Sequence, residues 1–125
     1  MGWIGQILGM EDQIDPVAIE KEIEQMLGEG ETVRTAFRLI RDLMIFTDRR
    51  LMLVDKQGIT GRRREVTSIP YRSITHFQMT TTGHFDLDAE IMLYVLGIPE
   101  PIKREFQNDQ SIFAVQKALA NFLGR

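Results

Sequence analysis

Residues 43–54 read LMIFTDRRLMLV, a stretch in which two short apolar runs flank a polar segment. The segment Thr47-Asp48-Arg49-Arg50 has the length and polarity of a tight turn, so we predict a hairpin of two antiparallel strands. Short apolar runs bounded by turn residues are typical of buried strands. The stretch therefore indicates a β-sheet core in the middle of the chain.

The sequence on both sides of this hairpin alternates with a period of two, which predicts further strands. Upstream, residues 33–40 have one apolar side, and Arg34 and Arg38 lie on the other. Downstream, residues 84–95 alternate strictly, which predicts one long strand with one buried face. A shorter strand is predicted at residues 102–106, after a proline-rich turn.

Helices are predicted at both ends of this β region. Asp15 is a good N-cap and Pro16 suits the first helical position, so a helix begins there. Its apolar stripe comprises Ile19, Ile23, Met26 and Leu27, and Gly28 is the predicted stop. A second helix begins at Asn108 or Asp109, with the apolar stripe Ile112, Val115, Leu119, Phe122 and Leu123. The predicted order of elements is one helix, about seven strands and a second helix. This order suggests a mainly β (α+β) fold, either a barrel or a sandwich.

Length and composition narrow the classes of function. The chain has 125 residues and no cysteine, so we expect one domain without disulfides, cysteine-bound metals or thiol chemistry. No apolar run is long enough to cross a bilayer, and the first ten residues lack the pattern of a secretory signal. We therefore expect a cytoplasmic location. No nucleotide-binding, metalloprotease or nucleophile-elbow motif is present, so we expect no cofactor and no enzymatic activity.

Two longer stretches carry a family resemblance. They are TDRRLMLVDKQGITGRRREVTSIPYRSITHF, residues 47–77, and TTGHFDLDAEIMLYVLG, residues 81–97. Together with the two helices, they resemble the bacterial pleckstrin-homology (PH-like) family, long catalogued as a domain of unknown function. The resemblance covers nearly the whole chain.

The resemblance implies a seven-stranded antiparallel barrel of two nearly orthogonal sheets, capped by the C-terminal helix and preceded by an extra N-terminal helix. It also implies assembly into ring-like homo-oligomers, without implying a ligand or a reaction. We predict that residues 1–30 form an apolar segment and helix packed on the domain or on a neighbouring subunit. Residues 31–125 then form the PH-like barrel and its capping helix.

The arginines in the middle of the chain have three possible roles. They could be solvated charges that protect a sheet edge, partners in ion pairs with another subunit or with the acidic strand, or a site for a polyanion. Alternation separates the consecutive arginines, because residues 62 and 64 point away from residue 63. The candidate anion-binding residues are Arg49, Arg50, Arg62, Arg64 and Arg72.

Charge also predicts an interface between copies of the chain. Carboxylates at alternate positions of the strand at residues 84–95 repel one another unless a cation or a basic row lies opposite. Arg34 and Arg38, or Arg62 and Arg64, could supply that row, whereas a metal ion fits the wide spacing poorly. The apolar N-terminal segment would supply the apolar surface that this interface buries. The candidate interface residues are Trp3, Ile4, Ile7, Leu8, Arg34, Arg38, Asp86, Asp88 and Glu90.

These observations predict a non-catalytic binding and assembly module. It would form a ring-like homo-oligomer that presents repeated surfaces to an unknown protein or peptide. The alternative is a peripheral membrane module, with Trp3 and Ile4 at the interface and arginines on anionic lipid. Nucleic acid is not an expected partner, because the isoelectric point is about 5.4 and no basic run is interleaved with aromatic residues.

Overall fold

The structure is a computed structural model that describes residues 13–39, 42–57, 63–81, 89–106 and 109–124. The chain forms two compact units, Met1–Ser68 and Ile69–Arg125. All strand pairs with a defined register are antiparallel.

The first sheet contains one very short strand and four longer ones in sequence order. They are β1 (Gln13–Ile14), β2 (Val33–Arg38), β3 (Asp42–Thr47), β4 (Arg50–Gln57) and β5 (Arg63–Pro70). Helix α1 (Pro16–Glu22) and a single 3-10 turn (Glu24–Met26) lie between β1 and β2. Ile19 and Ile23 from this segment are buried in one core cluster with Ala36, Leu43, Ile45, Met52 and Val54 of the sheet.

The second unit begins with a 3-10 turn (Tyr71–Ser73). A three-stranded sheet follows, ordered β6 (Ile74–Thr81), β7 (Ala89–Val95) and β8 (Ile102–Phe106). Helix α2 (Asp109–Leu123) packs on all three strands through the buried side chains of Ile112, Val115 and Leu119. Tyr71 stacks on Phe122 near the end of α2, with ring centroids 5.1 Å apart.

Helix α1 begins as predicted and ends earlier than predicted. The Asp15 side chain accepts a hydrogen bond from the Val17 backbone N–H at 3.1 Å, and Pro16 occupies the first turn. After Ile23 the chain tightens into the 3-10 turn, so the predicted helical stripe does not continue to Gly28. Met26 consequently leaves the core and is 41% exposed, which corrects its assignment to the stripe.

The prediction of a single apolar side for β2 is wrong. Ala36 and Phe37 are adjacent in sequence and both are buried, so both faces of the strand are covered. The register shifts between Val33 and Thr35, as it does at a β-bulge, and this interrupts the alternation. Arg34 is exposed and Arg38 is half-buried, so they do not form one uninterrupted row on one face.

Other local predictions are confirmed. β3 ends at Thr47 and β4 begins at Arg50, which leaves the predicted tight turn between them. Strand β8 has the predicted limits. Within the long strand predicted at residues 84–95, Ala89, Ile91 and Leu93 are buried on one side, and residues 84–88 lie outside the described residues.

The predicted fold class is confirmed. Two antiparallel sheets, an N-terminal helix and a C-terminal helix succeed one another in the order expected of a PH-like fold. Within the described ranges, neither helix combines the length and the apolar character that crossing a membrane requires.

Candidate functional site

Glu31 is the centre of a buried polar cluster in the first unit. The residue is only 5% exposed, and its carboxylate accepts hydrogen bonds from three sources. The donors are the Gly28 backbone N–H at 2.9 Å, the Thr47 hydroxyl at 2.7 Å, and Arg50 through Nε at 2.9 Å and Nη2 at 3.0 Å. We name Glu31, Thr47 and Arg50 the polar anchor, because they join the segment after α1 to the β3–β4 turn.

The tight turn between β3 and β4 brings the members of the anchor together. The Thr47 hydroxyl oxygen accepts the backbone N–H groups of Arg49 and Arg50, at 3.0 and 2.9 Å, and this closes the turn. Asp48 adds a reciprocal link to the start of β2. Its backbone N–H donates to the Thr32 carbonyl at 3.0 Å, and its carboxylate accepts from the Thr32 N–H at 3.0 Å.

The anchor changes the acidity of Glu31. Burial raises the pKa of the Glu31 carboxyl, because a charge in a poorly hydrated site is unfavourable. Hydrogen bonds from Arg50, Thr47 and Gly28, together with the positive charge of Arg50, outweigh burial and lower the pKa from 4.5 to about 2. Glu31 is therefore ionised at neutral pH and bound to Arg50.

Arg49 and Arg50, both predicted to bind an anion, make contacts within the first unit. Besides Glu31, Arg50 donates to the Met26 carbonyl at 2.7 Å and to the Ser68 hydroxyl at 2.8 Å. Arg49 donates to the Glu29 carbonyl at 2.7 Å. An incoming anion would have to displace Glu31 from Arg50, so the structure assigns Arg50 to the anchor.

Two of the remaining candidate anion-binding residues lie on other elements of the structure. Arg64 is exposed on β5, whereas Arg72 is exposed on the 3-10 turn that opens the second unit. Arg62 lies outside the described residues. The structure thus brings Arg49 and Arg50 together, and anion binding by the other arginines stays a prediction.

Several of the interface candidates also lie outside the described residues, namely Trp3, Ile4, Ile7, Leu8, Asp86 and Asp88. Glu90 is described and is half-buried on β7. Its register partner on β8 is Glu105 and its partner on β6 is Thr80. Two carboxylates therefore lie directly opposite each other across neighbouring strands.

Glu90 belongs to a polar face of the second sheet, which we define by three cross-strand rows. These are His76–Tyr94, Gln78–Met92–Lys103 and Thr80–Glu90–Glu105. The His76 and Tyr94 rings stack with centroids 4.1 Å apart. The Thr75 hydroxyl donates to the Tyr94 carbonyl at 3.0 Å, so its oxygen can accept from His76 Nδ1, also at 3.0 Å. These bonds fix the orientation of the imidazole.

Sequence reasoning missed the role of Glu31. It assigned no role to this residue and counted Arg50 as part of an anion site. One signal was available, because Arg50 directly precedes the buried run at residues 51–54 and a charge at such a border needs a partner. The choice of Glu31 among the nearby acids depends on the fold.

Comparisons with known proteins agree with this architecture. The sequence profile of the family described as "Bacterial PH domain" matches residues 2–123. The uncharacterized protein YjqA of Bacillus subtilis is 47% identical over 121 residues, which cover 96% of this chain and 97% of that protein.

Two solved structures are similar to this chain along most of its length. A DUF1696 family protein with a pleckstrin-homology domain from Shewanella loihica is 38% identical, with a TM-score of 0.78 and coverage of 89% of this chain and 95% of that chain. A pleckstrin homology domain from Shewanella amazonensis is 39% identical, with a TM-score of 0.80. The match covers 89% of this chain and 100% of that chain. The chain therefore belongs to the bacterial PH domain family.

Proposed function

We propose that the chain is a non-catalytic assembly module that forms a ring-like homo-oligomer and presents repeated surfaces to a protein or peptide. The observation that carries this proposal is the pairing of Glu90 with Glu105 across β7 and β8. Like charges directly opposite each other on a sheet are destabilising. Lys103, in the neighbouring row, is a diagonal neighbour of Glu90 and lies farther away than a directly opposite residue. A cationic group from another subunit would offset the repulsion.

Exposed Arg34 on β2 is the candidate cation. A contact between Glu90 and Glu105 of one subunit and Arg34 of the next joins two different surfaces. Such a heterologous contact closes into a ring when its rotation permits. Exposed ion pairs contribute only about 0–1 kcal/mol each, so they select the partner and the register while apolar burial supplies most of the affinity.

Residues 1–10 are the proposed source of that apolar burial, through Trp3, Ile4, Ile7 and Leu8. Strand β1 supports this role because it pairs with β2, with Gln13 opposite Phe37 and Ile14 opposite Ala36. Residues 1–10 precede β1 in the chain, and β1 is paired with the strand that carries Arg34.

Replacing Glu105 by lysine tests the proposal, because it should act in opposite directions on assembly and on stability. Within the subunit, the introduced lysine would face Glu90 and form a cross-strand ion pair worth about 0.2–1 kcal/mol. Between subunits, the change removes half of the acidic pair, so the mass measured by light scattering after size exclusion should fall. Glu100→Lys, in the exposed turn before β8, is the control with the same change of charge.

Deletion of residues 1–10 is the second arm of this experiment, and it should reduce the mass at both low and moderate salt. A wild-type mass of one chain at all concentrations would overturn the proposal. An unchanged mass for both Glu105→Lys and the deletion would overturn it as well.

A peripheral membrane module is the second candidate, and an exposed apolar turn favours it. Leu96 is 73% exposed and Ile98 is 47% exposed in the turn between β7 and β8. The Leu96 backbone N–H donates to the Ser73 carbonyl at 2.8 Å, which places this turn beside the 3-10 turn that carries Arg72. An exposed apolar turn next to a cation favours binding to an anionic membrane surface.

This candidate predicts sedimentation with anionic vesicles and little sedimentation with neutral ones, and the binding should weaken as salt rises. Leu96→Asp should abolish it, whereas Val17→Asp, at an exposed apolar position on α1, should leave it unchanged. Equal loss in both variants, or no binding to anionic vesicles, would rule out the role of this turn.

A further inference from the structure

Strand β6 lies at the edge of the second sheet and lacks the usual protection of edge strands. Among the strands that the structure describes, it pairs only with β7. Its sequence, ITHFQMTT for Ile74–Thr81, contains no aspartate, glutamate, lysine, arginine or proline. Natural proteins normally place charge, proline or a bulge on such an edge to prevent pairing with another chain. The register shift in β6 lies near its start, between Ile74 and His76, and the rest runs regularly.

The side chains of β6 are open to solvent on both faces of the strand. His76, Gln78 and Thr80 are exposed on the polar face. Phe77 and Met79 are half-buried on the opposite face, so part of their apolar surface is still accessible. A strand added along this edge would cover that apolar surface and satisfy the outward backbone groups of β6.

We infer that β6 pairs antiparallel with β6 of a second copy of the chain, around a two-fold axis at Gln78. This register places Gln78 opposite its own counterpart, Phe77 opposite Met79, and His76 opposite Thr80. The two three-stranded sheets then form one continuous sheet. The contact is isologous and uses a surface different from the ring contact proposed above, so it goes beyond that proposal.

The sequence of β6 favours a second copy as the occupant of this edge. Residues directly opposite each other in an antiparallel pair share a face, so the apolar side of one strand meets the apolar side of the other. Phe77 and Met79 then form two aromatic–sulfur contacts, which are individually favourable. The strand contains no aspartate, glutamate, lysine or arginine, so self-pairing brings no like charges of these residues together. The pairing needs no residue beyond those of β6.

Charge introduced at the two-fold axis tests this inference. Gln78→Lys and Gln78→Glu each place two like charges directly opposite each other, so each variant alone should show half of the wild-type mass. Mixing the two variants should restore the mass, because lysine then faces glutamate. Gln25→Lys, at an exposed position of the first 3-10 turn, is the control with the same substitution. The contact is small, so masses should be measured across a range of concentrations.

Gln78→Lys also loses the hydrogen bond that the Gln78 side-chain oxygen accepts from the Tyr94 hydroxyl at 3.3 Å, whereas Gln78→Glu keeps an acceptor oxygen at this position. Restoration in the mixture therefore separates loss of pairing from a folding defect. A mass that both variants leave unchanged would overturn the inference, and halving without restoration would overturn the two-fold register. Glu105→Lys acts on β8, so a failure of the ring proposal is distinguishable from a failure of this one.

Discussion

Replacing Arg50 by methionine is expected to lower the free energy of unfolding by about 3–5 kcal/mol, because it leaves a buried carboxylate without its cation. The Glu31 side chain is 2% exposed, and the Nε–Oε2 distance in the ion pair is 2.9 Å. The substitution also removes the donors to the Met26 carbonyl and the Ser68 hydroxyl. Urea denaturation followed by circular dichroism measures the loss.

Arg49→Met is the matched control for this measurement. Arg49 is exposed and donates to a single backbone carbonyl, so its replacement should cost about 1 kcal/mol or less. The double variant Glu31→Gln/Arg50→Met has no buried charge at this site. It should therefore recover part of the free energy of unfolding that Arg50→Met loses. Equal costs for Arg49→Met and Arg50→Met would contradict the assignment of Arg50 to the polar anchor.

The stability of the domain should depend on acid pH through Glu31. Its pKa in the folded state is about 2, below the value of 4.5 expected for the unfolded chain. The stabilisation that it provides is therefore fully present above pH 4.5 and is lost as pH falls through about 2. The depression of the pKa corresponds to about 3 kcal/mol in total.

Comparison with Glu31→Gln isolates this contribution, since the other carboxylates titrate in both proteins. The variant should be less stable than the wild type at neutral pH, and the difference should shrink as pH falls from 4.5 to about 2. Chemical denaturation at a series of pH values provides the measurement. The prediction would be contradicted if the free energies of unfolding of the two proteins changed in parallel between pH 4.5 and about 2. Glu31 would then not have the lowered pKa that its contacts require.

Features decided by neighbouring residues could be predicted from the sequence. Asp15 and Pro16 specify the start of α1 through local backbone chemistry, and the structure has that start. The polar segment between two apolar runs specifies the β3–β4 turn in the same way. Strict alternation predicted the buried side chains of Ala89, Ile91 and Leu93. These local signals, with the family resemblance, were sufficient for the fold class.

Features decided by distant contacts were missed. The bulge in β2 follows from how that strand pairs with β3, and the alternation of its residues gave no sign of it. Glu31 and Arg50 are separated by 19 positions, and the turn that joins them is formed only in the folded chain. The candidate interface residues in the first ten positions and at residues 86 and 88 lie outside the described residues, so their roles stay predictions.

The burial of both faces of the first sheet has a consequence for synthesis. Residues 43–46 and 51–54 are apolar runs rich in strand-forming side chains, and such segments are prone to aggregate while they are exposed. Ile19 and Ile23, which pack against one face of these strands, precede them in the chain. A ribosome therefore makes the covering helix before the strands that it covers. A circular permutation that moved α1 to the other end would leave these strands uncovered until translation finished.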